Sequence, residues 1–236
     1  MATVMITGAA QGIGLEFARQ YAHEGWEVVA CCRLPNQAHE LRALAAGLGN
    51  IRVERLDITD DQGIMQLARR MESHAIDVLI NNAGIMGALP LGENLYRQHF
   101  GTLDYSLWDQ VFRTNTLGAV RMTEAFMKSV AASTQRKIIN LSSTTGSITE
   151  SRREALAYTT SKAALNKAMT IIAEQVRSLG VIVALLCPGY VKTRMNVGGA
   201  TVEIPDSVLG MRRLIDGFTL GDSGTFRRYN GDMIAW

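Results

Sequence analysis

The chain has little of what several classes of protein require. Only three cysteines occur in 236 residues, and no two of them share a CxxC spacing. Cys31, Cys32 and Cys187 lie in apolar, strand-like runs, which predicts buried free thiols in a reducing compartment and not a disulfide framework. The four histidines are scattered, so no metal site is expected. Nowhere do about eighteen apolar residues run together, and MATVMITGAA opens the chain without a charged stretch leading into an apolar one. No membrane partner and a cytoplasmic location are therefore expected. Excess charge is missing too: 24 basic against 22 acidic residues leave +2, with the signs mixed, so there is no basic stripe for nucleic acid.

What is present, 47% hydrophobic and 19% charged residues, is the balance of one ordinary globular domain large enough for a sizeable core. Short β-branched or apolar runs at Thr3–Thr7, 27–31, 51–56, 76–80, Lys137–Leu141, 181–187 and 225–229 alternate with helical patterns at 36–48, 107–133, 154–178 and 205–215. Further helices follow Gly14 and Asp60, the latter a plausible cap. Such alternation predicts α/β architecture, a parallel sheet of about seven strands covered by helices on both faces, in a single domain over residues 1–236. Residues 85–106 keep no clean period and read as a long excursion at the sheet's carboxyl edge, where long loops are often functional. Asn115 falls inside a helical pattern, where it is mildly unfavourable; it is expected to lie exposed, or to bond a backbone group or water and open the helix locally.

The first strand runs into Gly8, Gly12 and Gly14 and then into the periodic Leu15, Phe17, Ala18 and Tyr21. Glycines in such a turn let backbone approach a pyrophosphate, and the amides of the helix start bind its charge. The dinucleotide fold would place an acid at the end of the second strand to bond the 2′-hydroxyl of NAD, but Cys32 and Arg33 stand there. A guanidinium suits a 2′-phosphate, so NADP(H) is the preferred cofactor and NAD(H) the second choice. Asp57 after the third strand reads as a turn residue or as an acceptor for an adenine amine. Asn81-Asn82-Ala83-Gly84 ends the fourth strand in a small, polar corner where a cofactor can lie against backbone.

Ser142 and Ser143 follow the fifth strand, and Tyr158 and Lys162 lie four apart, on one helix face. A phenol near its ordinary pKa of ~10 needs roughly 4 kcal/mol of preferential phenolate stabilisation to titrate near 7. One ammonium at about 4 Å supplies roughly that at an effective dielectric of ~20, and only ~1 kcal/mol in bulk water. The pair is therefore expected in a partly occluded cleft.

TGAAQGIG (7–14), Asp57-Ile58, NNAG (81–84), Asn115, the NLSS serines, YTTSK and PGYVKT, in that order and across nearly the whole chain, resemble the short-chain dehydrogenase/reductase family. The C-terminal DGFTLGDSGTFRRYNGDMIAW is similar to its C-factor-like branch, related to NADPH-dependent carbonyl reductases. The resemblance implies a Rossmann-like doubly wound sheet, with a cofactor half over about 1–140 and a catalytic and substrate part over about 141–236. It implies a tetrad of Asn115, Ser143, Tyr158 and Lys162, in which Tyr158 is the general acid/base, Ser143 bonds the substrate oxygen, Lys162 also holds the ribose, and Asn115 anchors a water. Ser143 precedes Tyr158 by fifteen residues, about two more than in many members, so Ser142 stays open as the alternative.

By the same resemblance Gly8, Gln11, Gly12, Ile13, Gly14, Asp57, Ile58, Asn82, Ala83, Gly84, Pro188, Gly189, Val191 and Thr193 contact the cofactor. Many NADP-preferring members carry a basic residue where this chain has Gln11, which leaves 2′-phosphate recognition to Arg33 alone. Arg152, Arg153 and Glu154 read as a solvated rim, and residues 191–205 as a pocket-shaping loop. The expected substrate is a small carbonyl or alcohol, and the expected assembly a homodimer or homotetramer. The alternative is a non-catalytic dinucleotide-binding signalling or interaction protein on the same fold.

Overall fold

The computed structural model describes residues 1–150, 155–193 and 199–236. Its apolar runs form seven parallel strands: β1 (Thr3–Thr7), β2 (Glu27–Cys32), β3 (Ile51–Arg55), β4 (Val78–Asn81), β5 (Lys137–Leu141), β6 (Ile182–Cys187) and β7 (Phe226–Arg228). They lie side by side in the order β3-β2-β1-β4-β5-β6-β7. The chain winds outward from β1 to β3, then returns to β4 on the other side of β1. That reversal opens a crevice above the carboxyl ends of β1 and β4, the place where doubly wound sheets bind ligands.

The helices are α1 (Gly12–His23), α2 (His39–Leu48), α3 (Asp61–Arg70), the single turn α4 (Leu91–Asn94), α5 (Tyr105–Phe112), α6 (Ala119–Ala131), α7 (Leu156–Gln175) and α8 (Ile204–Gly217). Because side chains alternate along a strand, each strand feeds two cores. Val4, Ile6, Val28 and Ile139 meet Phe17 and Tyr21 of α1, Leu41 of α2 and Met211 of α8. Met5, Leu79, Ile138 and Val183 meet Leu67 of α3, Phe126 of α6 and Leu165 and Met169 of α7. Full burial of each such side chain stabilises the fold by roughly 1.5 to 3 kcal/mol, so both faces need their helices. Cys31, Cys32 and Cys187 are buried free thiols within these layers. Among the described residues no helix is long and apolar enough to cross a membrane.

Several expected boundaries move. The helix expected at 107–133 is two helices joined by a π segment, Arg113–Gly118, centred on Asn115. The strand expected at 76–80 begins two residues later and takes in Asn81, whose side chain donates to Asn140 Oδ1 at 2.9 Å. Asn36 belongs to a 3-10 turn, Pro35–Gln37, that precedes α2. The excursion at 85–106 contains α4 and a second 3-10 turn, Leu95–Gln98. Asp60 caps α3 as expected, accepting from the Gln62 amide at 3.1 Å. The expected rim of Arg152, Arg153 and Glu154, and residues 194–198 of the pocket loop, lie outside the described residues.

Candidate active site

The glycine turn is held together by its neighbours across the crevice. Gly8 and Gly12 have φ of +68 and +58, backbone that favours glycine. A Cβ on Gly14 would lie 2.4 Å from the Gly8 carbonyl oxygen, so only hydrogen lets the helix start pack onto the turn. Thr7 Oγ1 accepts from the amides of Asn82 and Ala83, each at 3.0 Å. Asn82 Nδ2 donates back to Thr7 O at 2.8 Å and Gly8 O at 3.2 Å. The Asn82 side chain thus braces the turn, and what it offers a ligand is backbone.

The start of α1 carries no acidic residue in its first turn, and a Cβ on Gly12 would meet open space. Both features suit an anionic diphosphate lying against amides there. Gln11 is the exposed N-cap of α1, Gly14 is buried beneath it, and Ile13 packs on the core. Arg33 is exposed directly after β2. Asp57 forms the turn that was one of its two readings: its Oδ1 accepts from the Thr59 amide at 2.9 Å and the Thr59 hydroxyl at 2.7 Å. The Ile58 side chain is 7% exposed and sits in the core against Gly118, so what it can offer a cofactor is backbone.

Beyond the crevice, Pro188 follows β6 and its carbonyl accepts from Ser207 Oγ at 2.6 Å. Gly189 has φ of +84, and Val191 is buried and bridges to Val202. Thr193 is partly buried at the edge of the described residues.

The four residues of the expected tetrad converge from three elements. Ser143 stands just past β5, with its hydroxyl beside the Tyr158 phenol. Lys162 Nζ lies 5.8 Å from the Tyr158 ring centroid and gives one of its three donors to Leu141 O at 2.7 Å. Gly84 closes the group: a Cβ there would stand 3.2 Å from Asn115 Oδ1 and 3.7 Å from Lys162 Nζ. Asn115 is buried, not exposed, and its amide opens α5–α6 by bonding backbone. Its Oδ1 accepts from Ile85 N at 2.8 Å, while Nδ2 donates to Ile85 O at 2.8 Å and Ser161 Oγ at 3.0 Å. Both amide protons are committed, so any water it anchors must use the remaining lone pair of Oδ1.

The electrostatics depart from expectation. Burial pushes the half-buried Tyr158 phenol up to about 12, opposed by the nearby Ser143 hydroxyl, and pushes the Lys162 ammonium down to about 8. A phenol titrating near 7 is not what the protein alone provides, because desolvation outweighs a lysine directed mainly at Leu141 O. A phenol so placed stays protonated at neutral pH.

Sequence spacing left Ser142 and Ser143 as alternatives, and their surroundings differ. Ser142 is buried and donates to Asn166 Oδ1 at 2.6 Å, whereas Ser143 is the serine beside the phenol. Ser142→Ala should leave a buried acceptor unpaired and cost about 1 to 3 kcal/mol of stability, with turnover kept. Ser143→Ala should do the reverse. Thermal melts and kcat measured on both proteins check this, and loss of turnover confined to Ser142→Ala would reverse the assignment. Asn166 had no signal in the sequence, because its partner is set by the packing of α7 on the strand ends.

A family model described as short chain dehydrogenase matches residues 2–201. The protein named C-signal of Myxococcus xanthus is 37% identical over 162 residues, covering 68% of this chain and 93% of its own. The crystal structure of an NADPH-bound carbonyl reductase from chicken fatty liver superposes with a TM-score of 0.90 at 31% identity, covering 100% of this chain and 99% of that one. Carbonyl reductase Sniffer of D. melanogaster gives 0.88 at 27% identity, with 100% of both chains covered. With the sheet order, the glycine crevice and the family match in agreement, this chain belongs to the short-chain dehydrogenase/reductase family.

Proposed function

We propose that the protein is an NADP(H)-dependent oxidoreductase acting on a small carbonyl or alcohol, with Tyr158 as general acid/base. The observation that carries this reading is the protonated Tyr158 phenol set between Ser143 and Lys162, at the mouth of a crevice whose glycine turn suits a dinucleotide. Bound there, NADPH supplies the hydride. In reduction Tyr158 gives its proton to the substrate oxygen, Ser143 donates a hydrogen bond to that oxygen, and Lys162 stabilises the phenolate left behind. Asn115 holds the Ile85 backbone and Ser161 in place around them. Likeness to carbonyl reductases, one of them NADPH-bound, supports both cofactor and substrate class. The relative named C-signal keeps the non-catalytic signalling reading as the second one. A carbonyl panel with purified protein, followed by NADPH absorbance, separates the two: turnover supports the first, and tight NADPH binding without turnover of any substrate supports the second.

Arg33 carries the cofactor preference. Among the described residues it has no acidic partner, and no acid stands at the end of β2 to bond a 2′-hydroxyl. A charge-assisted contact is worth about 1.5 to 3 kcal/mol, so NADPH should bind roughly ten to a hundred times more tightly than NADH. Calorimetric titration of both cofactors checks this, and a preference that survives Arg33→Ala would remove the assignment.

Lys162 sets the pH dependence. Its ammonium is present below about 8 and lost above, while the phenol keeps its proton throughout that range. The kcat/KM for NADPH, which reports the free enzyme, should therefore be level below that pH and fall as pH rises through it. A profile that instead rises through it would contradict the role of the charge.

A further inference from the structure

The peptide of Tyr158 is fixed at both ends by side chains, and one of them comes from outside every motif of the family. Helix α7 starts at Leu156 after Ala155, whose side chain supplies no cap, so the first amides need partners from elsewhere. The Tyr158 N–H donates to Gln98 Oε1 at 3.0 Å, and Gln98 Nε2 donates to Met86 O at 2.8 Å. Gln98 is fully buried. Its amide can sit only one way round, because an N–H faces one end and a carbonyl the other. Gly87, with φ of +151, permits the approach: a Cβ there would lie 2.5 Å from Gln98 Nε2. On the other side, the Tyr158 carbonyl accepts from Ser161 Oγ at 2.7 Å, Ser161 accepts from Asn115, and Asn115 grips Ile85 through both its N–H and its C=O. The circuit leaves the backbone at Met86, passes through Tyr158, and returns at Ile85.

We propose that Gln98 is a positioning residue for Tyr158, tying the tyrosine's peptide to the backbone that follows the NNAG corner, so that the phenol's place against Ser143 depends on the folded loop 86–98. This rests on reading Tyr158 as the proton donor. Leu89 and Tyr96 of this loop are largely open to solvent while Leu91 is buried, and the buried Gln98 amide is the loop's hydrogen-bonded link to the Tyr158 peptide. A small misplacement of a reacting group costs up to about a hundredfold in rate, which sets the scale of the effect.

Gln98→Leu removes both bonds with similar bulk, while Gln98→Glu keeps the acceptor for the Tyr158 amide. The introduced carboxyl can donate to Met86 O only when protonated. The expected results are a kcat for Gln98→Leu lowered about tenfold or more at unchanged NADPH affinity, and for Gln98→Glu a kcat that approaches wild type at low pH and falls as the carboxyl ionises. A purely structural role would lower the melting temperature of both and leave kcat, and its pH profile, as in wild type.

A second readout needs no turnover. In protein labelled with carbon-13 at the tyrosine ring carbon bearing oxygen, Tyr158 is assigned by its loss in Tyr158→Phe. Its signal should move in Gln98→Leu, while those of Tyr21 and Tyr229 hold. An unmoved Tyr158 signal overturns the proposal. A moved signal in a protein that turns over no substrate supports the positioning and instead rejects the proposed reaction. If Gln98→Leu fails to fold, Gln98→Glu decides the matter: the signal should be native at low pH and displaced at high pH, and a signal native at both overturns it.

Discussion

Lys162→Met should lower kcat by about a hundredfold or more and weaken NADPH binding at the same time, so that it impairs both chemistry and cofactor binding. The ammonium is buried and lies 5.8 Å from the centroid of the phenol it faces. At roughly 6 Å and an effective dielectric of ~20, its attraction for a phenolate is about 3 kcal/mol, which is about a hundredfold in rate. Only one of its donors is held by Leu141 O, so the others are available to a ribose, and methionine supplies none. Methionine matches the length of the stem, so packing survives. The unpaired Leu141 carbonyl should cost about 1 to 3 kcal/mol of stability, visible in a thermal melt. Steady-state kinetics together with calorimetric titration of NADPH check the outcome. Unchanged cofactor affinity would confine Lys162 to the chemistry of the phenol.

Tyr158→Phe should lower kcat by about 10² to 10⁴ and leave NADPH affinity nearly unchanged, because it deletes a proton donor and little else. The phenol holds its proton at neutral pH beside Ser143, so the donor is loaded before substrate arrives. The peptide that carries it stays fixed by Gln98 and Ser161, which do not touch the ring oxygen. Phenylalanine should therefore fold like wild type. Its effect separates from that of Lys162→Met in the cofactor titration, where one variant weakens and the other does not.

Most of the fold was legible in the chain because a parallel sheet buried on both faces needs continuous apolar strands, and VMI, VVACC, KIINL and IVALLC could be little else. Their ends were less legible. Asn81 extends β4 by pairing with Asn140 on the neighbouring strand, to which its side chain also donates, a contact with no local signal. The π segment was foreshadowed by a polar residue within a helical pattern, yet its cause, the grip of Asn115 on Ile85, is a contact across thirty positions of sequence. Tyr158 and Lys162 could be placed on one helix face from spacing alone. The direction of the phenol's shift could not, since it depends on burial that spacing does not report. The packing of the Ile58 side chain into the core against Gly118, sixty positions on, had no local signal either. Gln98 was invisible, being a single polar residue in a stretch without a period and joined to its partner by folding alone.

The most direct test of Tyr158 as proton donor is a single turnover in rapid mixing. Wild type and Tyr158→Phe, each loaded with NADPH, are mixed with a carbonyl substrate identified in the panel, and the loss of NADPH absorbance is followed through the first hydride transfer. Binding and release then drop out of the comparison. A first-turnover rate lower by about 10² to 10⁴ in Tyr158→Phe is the predicted result. Equal rates in the two proteins would show that the proton reaches the substrate oxygen from another group.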